Sequence, residues 1–245
     1  MKNILIIVPV VITFLTSCSS INQTEKVSWA EKNNDWYEQP IQSPVIQSWT
    51  TDAITREILI QAYQEEMLAH DIYVKIVTLY PSLKEVENII NSESNHQEKV
   101  WALLDSRNIV RPTQYGIYTD TFNTLSTLIQ SSVTWAIEAW VMIEVGDIEH
   151  LLEEYKRIED RDVRMVFEDI GGGSFNHLRA FLRLAQDNNY IVTSQYSQYL
   201  NDDEINSTGP LQAKMTELLV SNNLETYGSS QWKRWGQGRG RWRTE

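Results

Sequence analysis

The chain is 245 residues long and sets 33 acidic side chains against 21 lysines and arginines, a formal net charge of −12 at pH 7. That acidity excludes a nucleic-acid binder, which must neutralise phosphates with basic groups. A single cysteine, Cys18, excludes disulfides within the chain and thiolate-ligated metal clusters. The length suits one ordinary domain with extensions.

Lys2 precedes an apolar run from Ile4 to Leu15 that is broken only by Pro9 and Thr13. At ~1.5 Å of rise per residue the run is too short for a hydrocarbon core of ~30 Å. Residues 1–17 therefore read as a signal peptide. Leu15-Thr16-Ser17-Cys18 resembles the lipobox of bacterial lipoproteins. The resemblance implies cleavage before Cys18, acylation at Cys18, and a membrane as partner through that lipid anchor, with the domain outside the cytoplasm at the cell envelope. Residues 18–50, rich in Asn, Gln and Ser and without a period, read as a tether.

Four stretches with helical spacing fill residues 51–189. The first runs from Asp52 to Tyr80, with Ile58, Ala62, Ala69, Ile72 and Ile76 as its apolar stripe, and stops at Pro81. The second opens on Ser82-Leu83-Lys84-Glu85, which has the form of a capping box, and carries Ile89, Val100, Leu103 and Leu104. The third spans Ser132 to Arg157 with Ala136, Ile137, Trp140 and Ile148; the fourth spans Asp162 to Gln186 with Val163, Phe167, Ile170 and Phe181. Helices one and two are joined by a turn at Pro81, and three and four by a few polar residues near Asp160. Between helices two and three lies the long segment Asn108 to Ser131, with a short helix predicted at Phe122 to Ile129. Short, long, short predicts an all-α four-helix bundle with a long crossover between helices two and three, which makes those two parallel. Gly171-Gly172-Gly173 predicts either a kink or π-bulge, or a break with Ser174 capping a new helix. Residues 190–245 read as a C-terminal extension, with a short helix near Leu211 to Val220 and a Trp- and Arg-rich tail from Gln231.

Each stripe is interrupted by residues that can ligate a metal. Glu65 falls between Ala62 and Ala69, and Glu93 and His96 sit at i and i+3 between Ile89 and Val100. Glu144 lies between Trp140 and Ile148 with Asp147 three residues on, and His177 between Ile170 and Phe181. Burying these groups uncompensated is costly. Two divalent ions offset the charge of Glu65, Glu93, Glu144 and Asp147. The plain alternative is a solvated helix face, since Glu65 neighbours Glu66, His70 and Asp71. No phosphate-binding glycine loop or nucleotide motif competes for the function.

Gln64-Glu65-Glu66-Met67-Leu68-Ala69-His70-Asp71-Ile72-Tyr73 is similar to the "EEEKLARDVY" signature of an uncharacterised bacterial ferritin-like family. So are Ser92 to His96, Ile143-Glu144 with Asp147-Ile148, and Ser174 to Phe181. The resemblance spans Thr51 to Tyr199 and implies a ferritin-like four-helix bundle. The carboxylate-bridged di-metal pattern places one Glu on each of two helices and Glu-x-x-His on each of the other two. Carried over, Glu65 and Glu144 match the single glutamates, Glu93 with His96 one pair, and His177 the second histidine. The glutamate partner of His177 is replaced by Ser174, so either Asp147 or Glu168 substitutes, or a single ion is bound. Carboxylate and imidazole donors suit a transition metal, iron first, with manganese or zinc as alternatives. A metal-dependent oxidoreductase follows by analogy; the other reading is a non-catalytic scaffold or partner-binding bundle without metal.

Overall fold

In the computed structural model the described residues are 51–227. The predicted signal peptide, Cys18, the tether and the Trp/Arg tail lie outside them. Helices α1 (Thr51–Leu79), α2 (Glu87–Ser106), α3 (Thr119–Leu128), α4 (Val133–Tyr155), α5 (Arg161–Asp187), α6 (Asp202–Asn206) and α7 (Lys214–Ser221) follow in chain order, with 3-10 turns at Pro81–Val86 and Gly116–Tyr118. No strand occurs among the described residues, and no helix there is long and apolar enough to cross a membrane.

The ends of the elements follow local chemistry. Ser132 accepts a hydrogen bond from Trp135 N at 3.2 Å and caps α4, while Asp160 accepts from Asp162 N and caps α5. Asn201 and Glu204 form a capping box on α6. The predicted capping box at Ser82 does not start α2. Pro81 cannot continue the helical ladder, the chain tightens into a 3-10 turn with Leu83 N donating to Tyr80 O at 2.9 Å, and α2 begins only at Glu87.

Tyr73 meets Glu144 and Glu65 meets His150, so α1 and α4 run antiparallel. The turn at Pro81 makes α2 antiparallel to α1 as well. Helices α2 and α4 are therefore parallel to each other, as the crossover of Asn108 to Ser131 requires. On α5, Asp169 pairs with Lys99 and His177 with Glu93, so α5 is antiparallel to α2.

The predicted stripes form the core. Ile58, Ile72, Ile76, Val100, Leu104, Ile137, Trp140, Ile148, Val163, Phe167, Ile170 and Phe181 are buried, each contributing roughly 1.5–3 kcal/mol of apolar burial. Trp140 stacks on Phe181 at 4.7 Å, and Tyr73 packs edge-on against both. The chain after α5 is tied back to the bundle by buried carboxylates. Glu138 accepts hydrogen bonds from the backbone N–H and hydroxyl groups of Thr193 and Ser194 at 2.6–2.9 Å. Glu168 accepts from Tyr155 OH at 2.6 Å and Tyr227 N at 2.8 Å.

Helix α5 runs unbroken through Gly171-Gly172-Gly173, so neither a break nor a π-bulge forms. The glycines serve close approach instead. A Cβ on Gly171 would lie 2.7 Å from Met215 Cγ, one on Gly172 2.7 Å from Gln212 O, and one on Gly173 2.6 Å from His96 Nε2. About 1 kcal/mol of helix propensity per glycine is given up so that the segment leading into α7, and one imidazole, can lie against bare backbone.

Candidate metal centre

Between the apolar layers α1, α2, α4 and α5 each present acidic or imidazole groups inward. Glu93 of α2 is at their middle. Its Oε2 lies 3.2 Å from His96 Nδ1 and its Oε1 lies 2.7 Å from His177 Nδ1. Glu66 Oε2 approaches His96 Nδ1 at 3.3 Å, and Glu144 Oε1 approaches His177 Nδ1 at 3.4 Å. Two buried triads result, Glu66–Glu93–His96 and Glu93–Glu144–His177, with donor atoms of each triad within 4.8 Å of one another. They share Glu93. The two imidazoles stack at 5.5 Å with 27° between their planes. A cavity the size of a water molecule or an ion is lined by Glu65, Glu66, Glu93, Glu144 and Asp147, with Ala69 and Ile143 as its apolar wall.

A further set of contacts orients these groups. Tyr73 OH donates to Glu144 Oε1 at 2.5 Å, and Ser174 Oγ donates to Asp147 Oδ2. Such partners fix the direction of ligand lone pairs.

The structure brings Glu93, His96, Glu144 and His177 together directly. Asp147 lines the cavity from α4, held by Ser174. The residue found in place of the expected glutamate thus positions a carboxylate supplied by the neighbouring helix. Glu168 is fully buried among other partners and does not line the cavity. Glu65 lines the outer side and pairs with His150. The carboxylate that α1 aims at His96 is Glu66, the neighbour of the expected ligand Glu65. Its signal is the inward run Ala62, Glu66, Ala69, Tyr73 and Ile76, with four- and three-residue steps.

The buried groups shift one another's protonation. Burial acts to lower both histidines, but the facing carboxylates outweigh it: Glu66 and Glu93 push His96 up to about 9, and Glu93 and Glu144 push His177 up to about 10. Burial raises Glu66 to about 8 and also raises Glu144. Burial, with Glu66 and Glu65 nearby, holds Asp147 well above the usual range. Glu93 alone among these carboxylates is held well below it: burial acts upward, and the two imidazolium rings override it.

A sharp test of fit is the pair Glu93 Oε1 and His177 Nδ1. Both atoms are buried and neither has a hydrogen-bond partner of acceptable geometry among the described residues, although they are 2.7 Å apart. Two donors bound to one ion at 2.0–2.2 Å lie about 3 Å from each other without a hydrogen bond between them. The donor set fits a divalent transition metal.

Because the folded state holds protons on His96 and His177 that the unfolded chain releases above pH 6.5, their stabilisation is complete below pH 6.5 and is lost as pH climbs to about 9 and about 10. The metal-free protein is expected to melt at progressively lower temperature across that window, and stabilisation by added metal to grow over it, because metal displaces those protons. Thermal melts at a series of pH values check this; a metal-free melting temperature that rises across the window contradicts it.

A family model described as an uncharacterized protein domain, DUF2202, matches residues 55–208, a span that contains every residue of both triads. The chain is 31% identical over 161 residues to the uncharacterized protein MJ0754 of Methanocaldococcus jannaschii, covering 62% of this chain and 86% of the relative. It is also similar to the crystal structure of hypothetical protein MJ0754, with a TM-score of 0.55 and 28% identity over 61% of this chain and 88% of that one. The chain belongs to the DUF2202 family.

Proposed function

We propose that this protein is a ferritin-like metal protein that binds one or two transition-metal ions between α1, α2, α4 and α5, with iron as the first expectation and manganese or zinc as alternatives. The observation that carries the reading is the sharing of buried Glu93 by two triads, the placement a bridging carboxylate needs. Parallel α2 and α4 joined by a crossover support the ferritin-like assignment. Glu66, Glu93 and His96 would hold one ion, and Glu93, Glu144 and His177 the other, with Asp147 and Glu65 as additional carboxylates. When bound, such an ion supplies Lewis-acid or redox chemistry, the basis for reading the protein as a metal-dependent oxidoreductase. The chain's own contribution is to fix the donors through Tyr73 and Ser174 and to exclude bulk water with the Trp140–Phe181 layer.

The test pairs metal content with thermal unfolding, for the wild type and for His96→Ala with His177→Ala. An ion at about a hundredfold above its Kd stabilises by ~2.7 kcal/mol, which raises the melting temperature of a domain this size by about 5–10 °C. That rise is expected for the wild type only. A wild type that purifies without metal and does not respond to iron, manganese or zinc leaves a scaffold bundle with a protonated polar core.

We also propose that Cys18 carries a lipid anchor that places the domain at the cell envelope, on the support of the Leu15 to Cys18 motif. Cys18→Ser is expected to move the protein from the membrane fraction to the soluble fraction after a high-salt wash; retention in membranes counts against the anchor.

A further inference from the structure

Glu65 and Glu66 are neighbours on α1 and point apart. Glu66 is aimed at His96. Glu65 is aimed at the seam between α1 and α4, and at 9% it is the most exposed of the five cavity carboxylates. It is also the only one of them paired to His150, a residue that does not line the cavity. His150 Nδ1 engages Glu65 Oε2 from α4, and Tyr118 OH stands 3.4 Å from the same oxygen and 3.3 Å from His150 Nδ1. Tyr118 belongs to the crossover turn Gly116–Tyr118, which is fastened beside Glu65: Gln64 Nε2 donates to Gln114 O at 3.1 Å, and Gly116, at φ +55, leaves no room for a Cβ against the Gln64 amide. Behind His150, its Nε2 lies 3.8 Å from Glu154 Oε1, and Arg157 donates to both oxygens of Glu154 at 2.8 Å. A line of paired charges thus runs from the surface to one wall of the cavity.

The apolar wall of the cavity, Ala69 and Ile143, offers a cation no ligand. A dehydrating cation needs oxygen donors along its way, and Glu65 is the cavity carboxylate nearest solvent. We propose that His150 is a latch on metal exchange: by holding Glu65 at the α1–α4 seam it slows the entry and exit of divalent cations through that seam. This rests on the metal-binding reading and adds the route and its control. A cation entering by the seam meets Glu65 with its Oε2 already engaged by His150 and Tyr118, so the carboxylate must turn away from them to offer the ion both oxygens. His150 is a positioning residue, outside both triads.

The experiment uses the full chain and Co2+, whose visible absorption reports carboxylate and imidazole ligation. Loading is followed by stopped flow, and release by a chase with excess EDTA. His150→Ala is expected to load and release Co2+ about tenfold faster, the effect of losing one charge-assisted hydrogen bond, with the same Co2+ per chain at saturation. His150→Asn keeps an N–H donor near the Nδ1 position and is expected to stay close to wild-type rates. Tyr118→Phe is expected to give a smaller acceleration and serves if His150→Ala does not fold. Wild-type exchange rates in both His150→Ala and Tyr118→Phe, with normal Co2+ content, overturn the latch while leaving the metal centre standing. A wild type that takes up no Co2+ removes the metal reading and the latch with it.

Discussion

Glu93→Gln is expected to empty both halves of the centre and to destabilise the metal-free protein by about 3–5 kcal/mol, the usual cost of removing one partner from a buried charge pair. Glutamine preserves the volume, so no packing defect contributes. What disappears is the one negative charge among the described residues that faces both His96 and His177, at 3.2 and 2.7 Å. The rings must then either lose protons or stay charged without a partner in a buried layer. Metal analysis of the purified variant and chemical denaturation of its metal-free form measure the two effects. Retention of one ion per chain would show that Glu93 is not shared.

Gly173→Ala should lower metal content by about one ion per chain and destabilise the protein by about 1–3 kcal/mol, as overpacking does, even though alanine favours a helix by ~1 kcal/mol over glycine. The new methyl would sit 2.6 Å from His96 Nε2 and 2.7 Å from its Cε1. The ring cannot retreat freely, because its opposite nitrogen is held by Glu66 and Glu93 at 3.3 and 3.2 Å. Gly146→Ala on α4 is the control. Open space surrounds that position, so the same substitution there should stabilise by up to ~1 kcal/mol. If the two variants behave alike, the close approach at Gly173 has no energetic role.

Much of this was readable from the chain because helical periodicity is a local property. The stripes, the turn at Pro81, the crossover and the inward positions of Glu93, His96, Glu144 and His177 all follow from spacing within single helices. The rest depends on partners distant in sequence. Glu65 and Glu66 both fall between Ala62 and Ala69, and only the placement of α2 and of α4 against α1 decides that Glu66 meets His96 while Glu65 meets His150. The three glycines are unfavourable by helix propensity, and their reasons, Met215 and Gln212 approaching from about forty residues further on and His96 from α2, have no local trace. Ser174 looked like a lost ligand; its use as a holder for Asp147 emerges only when α4 lies beside α5. The start of α2 moved from Ser82 to Glu87 for the converse reason: a local signal was present, but the chain after Pro81 takes a tighter 3-10 turn.

The family match and the packed structure do not end at the same residue here. The match ends at 208, yet Gln212 and Met215 are seated on the bare main chain of Gly171 and Gly172, immediately beside the glycine that backs His96. A fragment trimmed to the inherited span would strip that cover and lay open a furrow of naked peptide groups behind the imidazole. The span that the family model matches is, for this chain, shorter than the span that encloses the buried carboxylates and imidazoles.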